Sequence, residues 1–286
     1  MTGCHPRMKV AYFGLEGTFS HEAARRAFPG ARSYLAGEGV ENVLGLLYSG
    51  KADCGLVPVE NSSGGMITDS IDALLARRFL KSCIRIQEEI TMKVRLRLLS
   101  NEPPSRIRTV YSHPVPLNFL TPWLRRHLPK AKRVAVENTA EGARRATAEP
   151  GAAAIANESA AALYGLKAAR LAIPQQPNQT SFYALGKRPF SRKPAQRTAL
   201  CLGLPNRPGS LVEILSIFAN QRINLTRLTS RPLCKRSGMF HPNEYAFWID
   251  LEGIPKSPRV EIALRAAGQA AAFLDVIGIY RLRTLA

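Results

Sequence analysis

Asp53-Cys54-Gly55-Leu56-Val57-Pro58-Val59-Glu60-Asn61-Ser62-Ser63-Gly64-Gly65 passes from an apolar run into a polar turn ending in glycine. Residues 54–59 read as a strand, and the turn leads to a helical pattern over 69–78. The same unit recurs outward from it. A strand over 10–13 enters Gly14-Leu15-Glu16-Gly17-Thr18-Phe19-Ser20 and a helix from about His21. A strand over 109–111 enters Ser112-His113-Pro114 and a helix reaching His127. A strand over 134–136 enters Asn138-Thr139-Ala140-Glu141, which has the form of a capping box. A strand over 152–156 enters Asn157-Glu158-Ser159 and an alanine-rich helix. Strand, polar turn and helix in repetition predict α/β organisation.

Each such turn sets backbone N–H groups and hydroxyls where a strand ends and a helix begins, and helix N-termini attract anions. Several of them converging on one cleft would suit a small molecule with more than one negative charge. Taken singly, Thr18, Asn138 and Ser159 also read as plain helix caps. Between Glu88 and Ser100 the order Met92-Lys93-Val94-Arg95-Leu96-Arg97-Leu98 alternates apolar with basic. That predicts a half-buried strand with one wet, positive face, most simply an exposed edge protected by charge.

The chain has 286 residues, 45% hydrophobic and 21% charged, enough for two packed domains. No apolar run has the length of a signal peptide core or a membrane span, so a cytoplasmic protein is expected, with Met8 as a second start. Five cysteines form no C-x-x-C pair, which argues against a disulfide framework and against a zinc site. Cys54 and Cys201 lie in apolar runs and are expected to be small buried hydrophobes, while Cys4, Cys83 and Cys234 complete the set of reduced thiols. The formal charge is +19. It is spread in short pairs such as Arg25-Arg26, Arg77-Arg78 and Arg144-Arg145, without a nucleic-acid-binding motif. The charge therefore implies attraction for anionic substrates and no nucleic-acid partner.

Residues 187–196 mix proline with basic residues and read as a linker. Beyond them come a strand over 198–204, a turn at Asn206-Arg207-Pro208-Gly209, a helix over 210–220 and a strand over 224–229. A loop to about Asn243, a strand over 244–251, a helix over 258–271 and a strand over 276–282 follow. The order βαββαβ is the ferredoxin-like split unit.

With these motifs in this order the chain resembles bacterial prephenate dehydratases with a C-terminal ACT regulatory domain, nearly throughout from Lys9 onward. Val10 to Ser20 is similar to the family's A-Y-x-G-x-x-G-T-F-S, and Asp53 to Ser62 to its A-D-x-G-V-x-P-x-E-N-S. Ser112-His113-Pro114, Asn138-Thr139-Ala140, Ala153-Ala154-Ile155-Ala156, Leu163-Tyr164-Gly165-Leu166 and Asn178-Gln179-Thr180-Ser181-Phe182 match further blocks. Pro208-Gly209-Ser210-Leu211-Val212 and Thr229-Ser230-Arg231-Pro232 resemble the family's G-A-L-V and E-S-R-P. The resemblance implies a two-lobed, periplasmic-binding-protein-like catalytic domain over 8–187, a linker over 188–196 and a ferredoxin-like ACT domain over 197–286. It also implies conversion of prephenate to phenylpyruvate, water and CO2 with no metal and no organic cofactor. L-phenylalanine would be the allosteric ligand of a homodimer or homotetramer.

The same resemblance makes Thr180 the catalytic hydroxyl, with Gly17, Thr18, Asn61, Ser112, Thr139 and Phe182 as substrate-binding candidates. The phenylalanine site would use Gly209, Ser210, Leu211, Val212, Ser230, Arg231 and Pro232. Gly209 has a structural role available too, as a close-approach residue where a helix starts. His113 reads first as a residue ordering the turn before Pro114, and Glu60 would need to be protonated or turned away from a dianion. Ser181 stands where relatives have arginine, Val115-Pro116 where they have glutamine-alanine, and Thr229 where they have glutamate. Serine cannot supply an arginine's bidentate pairing to a carboxylate. These departures leave three alternatives: decarboxylation without aromatisation, arogenate as substrate, and a non-catalytic sensor of aromatic metabolites.

Overall fold

The computed structural model describes residues 8–232 and 245–285. Met1, Cys4, Cys234 and the expected loop beyond Pro232 lie outside the described residues, while residues 230–232, expected in that loop, continue the preceding strand.

The first lobe contains β1 (Lys9–Phe13), α1 (Phe19–Ala27), β2 (Ser33–Gly37), α2 (Val40–Tyr48), β3 (Cys54–Asn61), β4 (Gly65–Met66), α3 (Thr68–Leu75), α4 (Arg77–Leu80) and β5 (Arg85–Lys93). The chain then crosses to a second lobe: β6 (Arg97–Leu99), β7 (Thr109–Ser112), α5 (Pro114–His127), β8 (Lys132–Ala135), α6 (Thr139–Ala148), β9 (Ala152–Ala156) and α7 (Glu158–Tyr164). It returns as β10 (Gln179–Gly186) and continues into β11 (Arg197–Gly203), α8 (Ser210–Asn220), β12 (Leu225–Pro232), β13 (Tyr245–Glu252), α9 (Pro258–Ala270) and β14 (Phe273–Leu285).

In the first lobe β2, β1 and β3 are parallel, and β10 lies antiparallel between β3 and β5. The second lobe has its own four-stranded sheet in the order β6-β9-β7-β8. The C-terminal unit orders its strands β12-β13-β11-β14, with α8 and α9 sharing a core with Leu200, Leu202 and Ile249. Strand β14 then pairs in parallel with β5, so this sheet and that of the first lobe form one ten-stranded sheet. That sheet folds back on itself. Ala199, Cys201, Ala246 and Trp248 of the C-terminal unit are buried in the same cluster as Val57, Ile86, Tyr183 and Leu185 of the first lobe.

The expected α/β and βαββαβ architectures are both present. Cys54 and Cys201 are free and buried, whereas Cys83 is exposed. Elements absent from the sequence reading include β2, α2, β10 and the short β4. Helix α2 does carry a readable stripe, Val40, Val43, Leu44 and Leu47, all buried. The helix expected over 69–78 is interrupted at Ala76, whose extended backbone separates α3 from α4. Residues 92–98 form no single edge strand. β5 ends at Lys93 and β6 begins at Arg97, so the alternation belongs to the crossing between lobes. Strand β14 runs to Leu285, past the expected Leu282, because Arg281 to Leu285 pair with Glu88 to Met92 of β5.

Candidate functional site

Strands β3 and β10 bring Asn61 and Thr180 face to face as cross-strand partners, 119 positions apart in sequence. Asn61 Oδ1 accepts the backbone N–H groups of Ser63 and Gly64, each at 3.0 Å. Two backbone donors on one side identify that atom as the oxygen and leave the amide NH2 facing the other way. The NH2 donates to Thr180 Oγ1 at 3.0 Å and to Asn178 Oδ1 at 2.8 Å. Ser62 closes the cluster, donating to Asn178 Oδ1 at 3.3 Å and accepting the Gln179 N–H at 2.9 Å. Thr180 thus receives a hydrogen bond on its oxygen, and its own proton is left to donate elsewhere.

The turn after β1 forms a second group where the lobes meet. Gly17 has φ +82°. A methyl group added there would lie 3.2 Å from Leu163 Cδ2 and 3.4 Å from the Ala140 side chain, both in the second lobe. The Gly17 N–H donates to His21 Nδ1 at 3.0 Å, and Thr18 caps α1 by accepting from the His21 N–H. His21 stacks on Tyr12, and burial lowers its pKa, while burial also pushes the Tyr12 hydroxyl up to about 12. Across the seam, Asn157 donates to Glu22 Oε2 at 2.9 Å and accepts from the Ala160 N–H, so this residue, rather than Ser159, caps α7. Asn138 caps α6 with Thr139 as first helical residue. The predicted capping box is only half formed. Glu141 turns outward to Arg144 and Arg145, and those hydrogen bonds hold its carboxyl at about 2.

Two substrate-binding candidates, Ser112 and Phe182, are buried against protein groups. Ser112 is fully buried and donates to the Ile155 carbonyl at 2.7 Å, tying β7 to β9. Phe182 has no exposed surface and packs with Leu56, Ile90 and Met92, because the apolar strand β10 needs a core anchor there. His113 caps α5 by accepting the Val115 N–H. No hydrogen bond among the described residues links the Asn61–Thr180 group to the Gly17–Thr139 group; both stand at the ends of strands that face between the lobes. Beside the crossing, a cavity of about 980 Å³ is lined by Arg25, Arg26, Lys93, Arg95 and Arg97 together with Glu22 and Glu158. Asn178 and Asn157 stand in the sequence motifs without a role of their own, since a partner over a hundred positions away leaves no local pattern. Among the described residues no cluster of His, Cys, Asp or Glu is arranged to hold a metal ion, and no helix is long and apolar enough to cross a membrane.

The prephenate dehydratase family profile matches residues 10–190, and the ACT domain profile matches 199–269. The chain belongs to the prephenate dehydratase family. It is 34% identical to a bifunctional chorismate mutase/prephenate dehydratase of Aquifex aeolicus over 96% of this chain and 74% of that one. It is likewise 34% identical to a prephenate dehydratase of Amycolatopsis methanolica over 90% and 83% of the respective chains. Among solved structures, a prephenate dehydratase of Arthrobacter aurescens in complex with L-Phe matches with TM-score 0.81 and 28% identity, over 96% of this chain and 89% of that one. A protein described as a novel type of quorum quenching acylase, GqqA, matches with TM-score 0.83 and 25% identity over 96% and 98%.

Set against the prephenate dehydratase motifs, the departing residues have definite places. Ser181 lies within 3.3 Å of the Thr91 hydroxyl, and Val115 is exposed at the start of α5. Gly209 adopts φ +86° with open space around it, so its structural part is the left-handed turn into α8, not the expected close approach. The two ACT segments share one end of the C-terminal sheet: Gly203, just before the Gly209 turn, and Arg231 both pair with Ala246 of the intervening β13. The Arg231 guanidinium makes two bonds of 2.6 Å to Asp72 of α3, committing it to the first lobe.

Proposed function

We propose that the protein converts prephenate to phenylpyruvate, CO2 and water under control by L-phenylalanine. The observation that carries the reading is the Thr180 hydroxyl, oriented by Asn61 at the lip of β10. Loss of CO2 from the ring carbon and departure of the opposite hydroxyl aromatise the ring, and one proton is needed to release that hydroxyl as water. An oriented threonine is a weak acid but an effective hydrogen-bond donor to the leaving oxygen. Asn61 sets its direction. The N-termini of α1 and α6, at Thr18 and Thr139, supply donors for the two carboxylates of the substrate, with Gly17 shaping the first of these turns through its bond to His21. Because Ser181 provides no guanidinium, the basic residues along the lobe crossing take a larger share in drawing the dianion in.

In this reading residues 8–187 are catalytic, 188–196 link and 197–286 regulate. Phenylalanine sits at the end of the sheet shared by Gly209 to Val212 and Ser230 to Pro232, completed by a second copy in a homodimer or homotetramer. The exposed Val212 of α8 and Ile262 of α9 support such an assembly. A cytoplasmic setting follows from the biosynthetic role. The test is phenylpyruvate formation from prephenate by purified protein, with and without phenylalanine. Product at the spontaneous rate alone would reject the reading.

A further inference from the structure

Glu60 precedes Asn61, and its carboxylate is turned away from the cleft. Its Oε2 accepts from Arg227 of β12, at 3.1 Å from Nε and 2.8 Å from Nη2. The same guanidinium reaches Glu89 Oε1 at 3.0 Å and bonds Asp250 and the Tyr183 hydroxyl. Asp250 also accepts from Trp248 Nε1 at 3.0 Å. Arg227 is 7% exposed, Glu89 5% and Asp250 0%, while Glu60 is 44% exposed. Burial opposes the arginine's charge, but Tyr183, Asp250, Glu89 and the bond to Glu60 outweigh it and hold its pKa above the ordinary value. A register irregularity between Leu225 and Arg227 lies where the side chain leaves β12, and such irregularities re-aim side chains.

The buried charges balance without Glu60. Arg197 lies 3.3 Å from Glu89, so Arg227 and Arg197 face Glu89 and Asp250. The additional reach to Glu60 is therefore not needed to neutralise the interior. It gives the C-terminal unit a grip on the residue next to Asn61. Arg227 stands two positions before Thr229, on the strand that carries the Ser230 to Pro232 segment. One continuous path runs from that segment along β12 to Arg227, across to Glu60, one peptide on to Asn61, and from its amide to Thr180 Oγ1.

We infer that Arg227 is a positioning residue for the reaction: from the C-terminal unit it holds Glu60, and through Glu60 the Asn61–Thr180 pair, so that changes at the regulatory segment reach the catalytic hydroxyl. The inference rests on the dehydratase reading and names the route of its regulation. Arg227→Met would also strip the buried Asp250 of its cation and leave Glu89 with Arg197 alone, so the test rests on Glu60→Ala, with Glu60→Gln as the conservative variant. In Glu60→Ala we expect kcat to fall about tenfold with KM changed less than about twofold, the pattern of a misaligned donor. Phenylalanine should still bind by calorimetry while its effect on the rate shrinks at least about threefold; Glu60→Gln, which still accepts from Arg227, should recover most of both. A folded Glu60→Ala protein with wild-type kcat and an undiminished phenylalanine response overturns the inference. If the wild type forms no phenylpyruvate, the dehydratase reading fails separately, and amide exchange decides: faster exchange at residues 61–64 in Glu60→Ala supports the grip, and unchanged exchange overturns it.

Discussion

The first lobe meets its two neighbours in opposite ways. Toward the second lobe it offers two crossings, near residues 94–96 and 174–178, a partly buried bond from Asn157 to Glu22, and the close approach of Gly17 to Leu163 and Ala140. Toward the C-terminal unit it offers a strand pairing, a shared apolar cluster and a buried ionic knot. Asn61 and Thr180 belong to the tightly joined side, and Thr139 to the loosely joined one. Two crossings permit hinge motion, whereas a sheet continued across a boundary does not. On the proposed mechanism, substrate closure and regulation take separate mechanical routes, meeting at the end of β3.

The hardest way to break this contrast is Arg227→Met. Leaving Asp250 without its counter-charge, and Glu89 with Arg197 alone, should cost about 3 to 5 kcal/mol in denaturant unfolding. Little loss would mean that the two seams differ less than their geometry implies. Thr180→Ala should leave stability nearly unchanged and lower kcat about 100-fold or more, roughly 3 kcal/mol of transition-state stabilisation, measured by phenylpyruvate formation. Gly17→Val tests the loose seam. A left-handed backbone costs a branched residue about 1 to 2 kcal/mol, and its side chain would wedge the lobes apart, raising KM more than it lowers the melting temperature. Asn157→Ala removes a cap and the bond to Glu22, for about 1 kcal/mol.

The smallest effect is that of pH on the Gly17 turn. Burial lowers the pKa of His21, and Nδ1 must be unprotonated to accept the Gly17 N–H. The neutral form is the one that folding favours, so His21 contributes no pH dependence above the ordinary histidine range. Stability is lost as pH falls through that range, since the unfolded chain then binds the proton more readily. Thermal melts at pH 7.5 and 5.0 should show this loss, reduced in His21→Gln.

Sequence legibility followed the same division. Repeated strand-turn-helix units exposed both lobes, and Pro208-Gly209 with the helix at Ser210 exposed the C-terminal unit, because those signals are local. Asn61 and Thr180 were legible through motif resemblance, but their hydrogen bond spans more than a hundred positions and has no local period. Ser112 and Phe182, expected from the motifs as ligand contacts, are buried among protein groups, because a motif records that a position matters without saying whether its side chain faces the cleft or the core. Arg227 was invisible for a further reason: a lone arginine in a basic chain looks solvated until the fold surrounds it with carboxylates.

The pairing of β14 with β5 bears on how far this chain can be cut or recombined. Ending it after β10 would leave the nine residues of β5 as an open edge and uncover Tyr183, Leu185 and Ile86. Open apolar edges invite pairing between molecules. A shortened catalytic fragment would thus be prone to aggregate, and replacing the C-terminal unit with a foreign one would require an equivalent last strand and an arginine at the place of Arg227. The regulator serves as one wall of the catalyst.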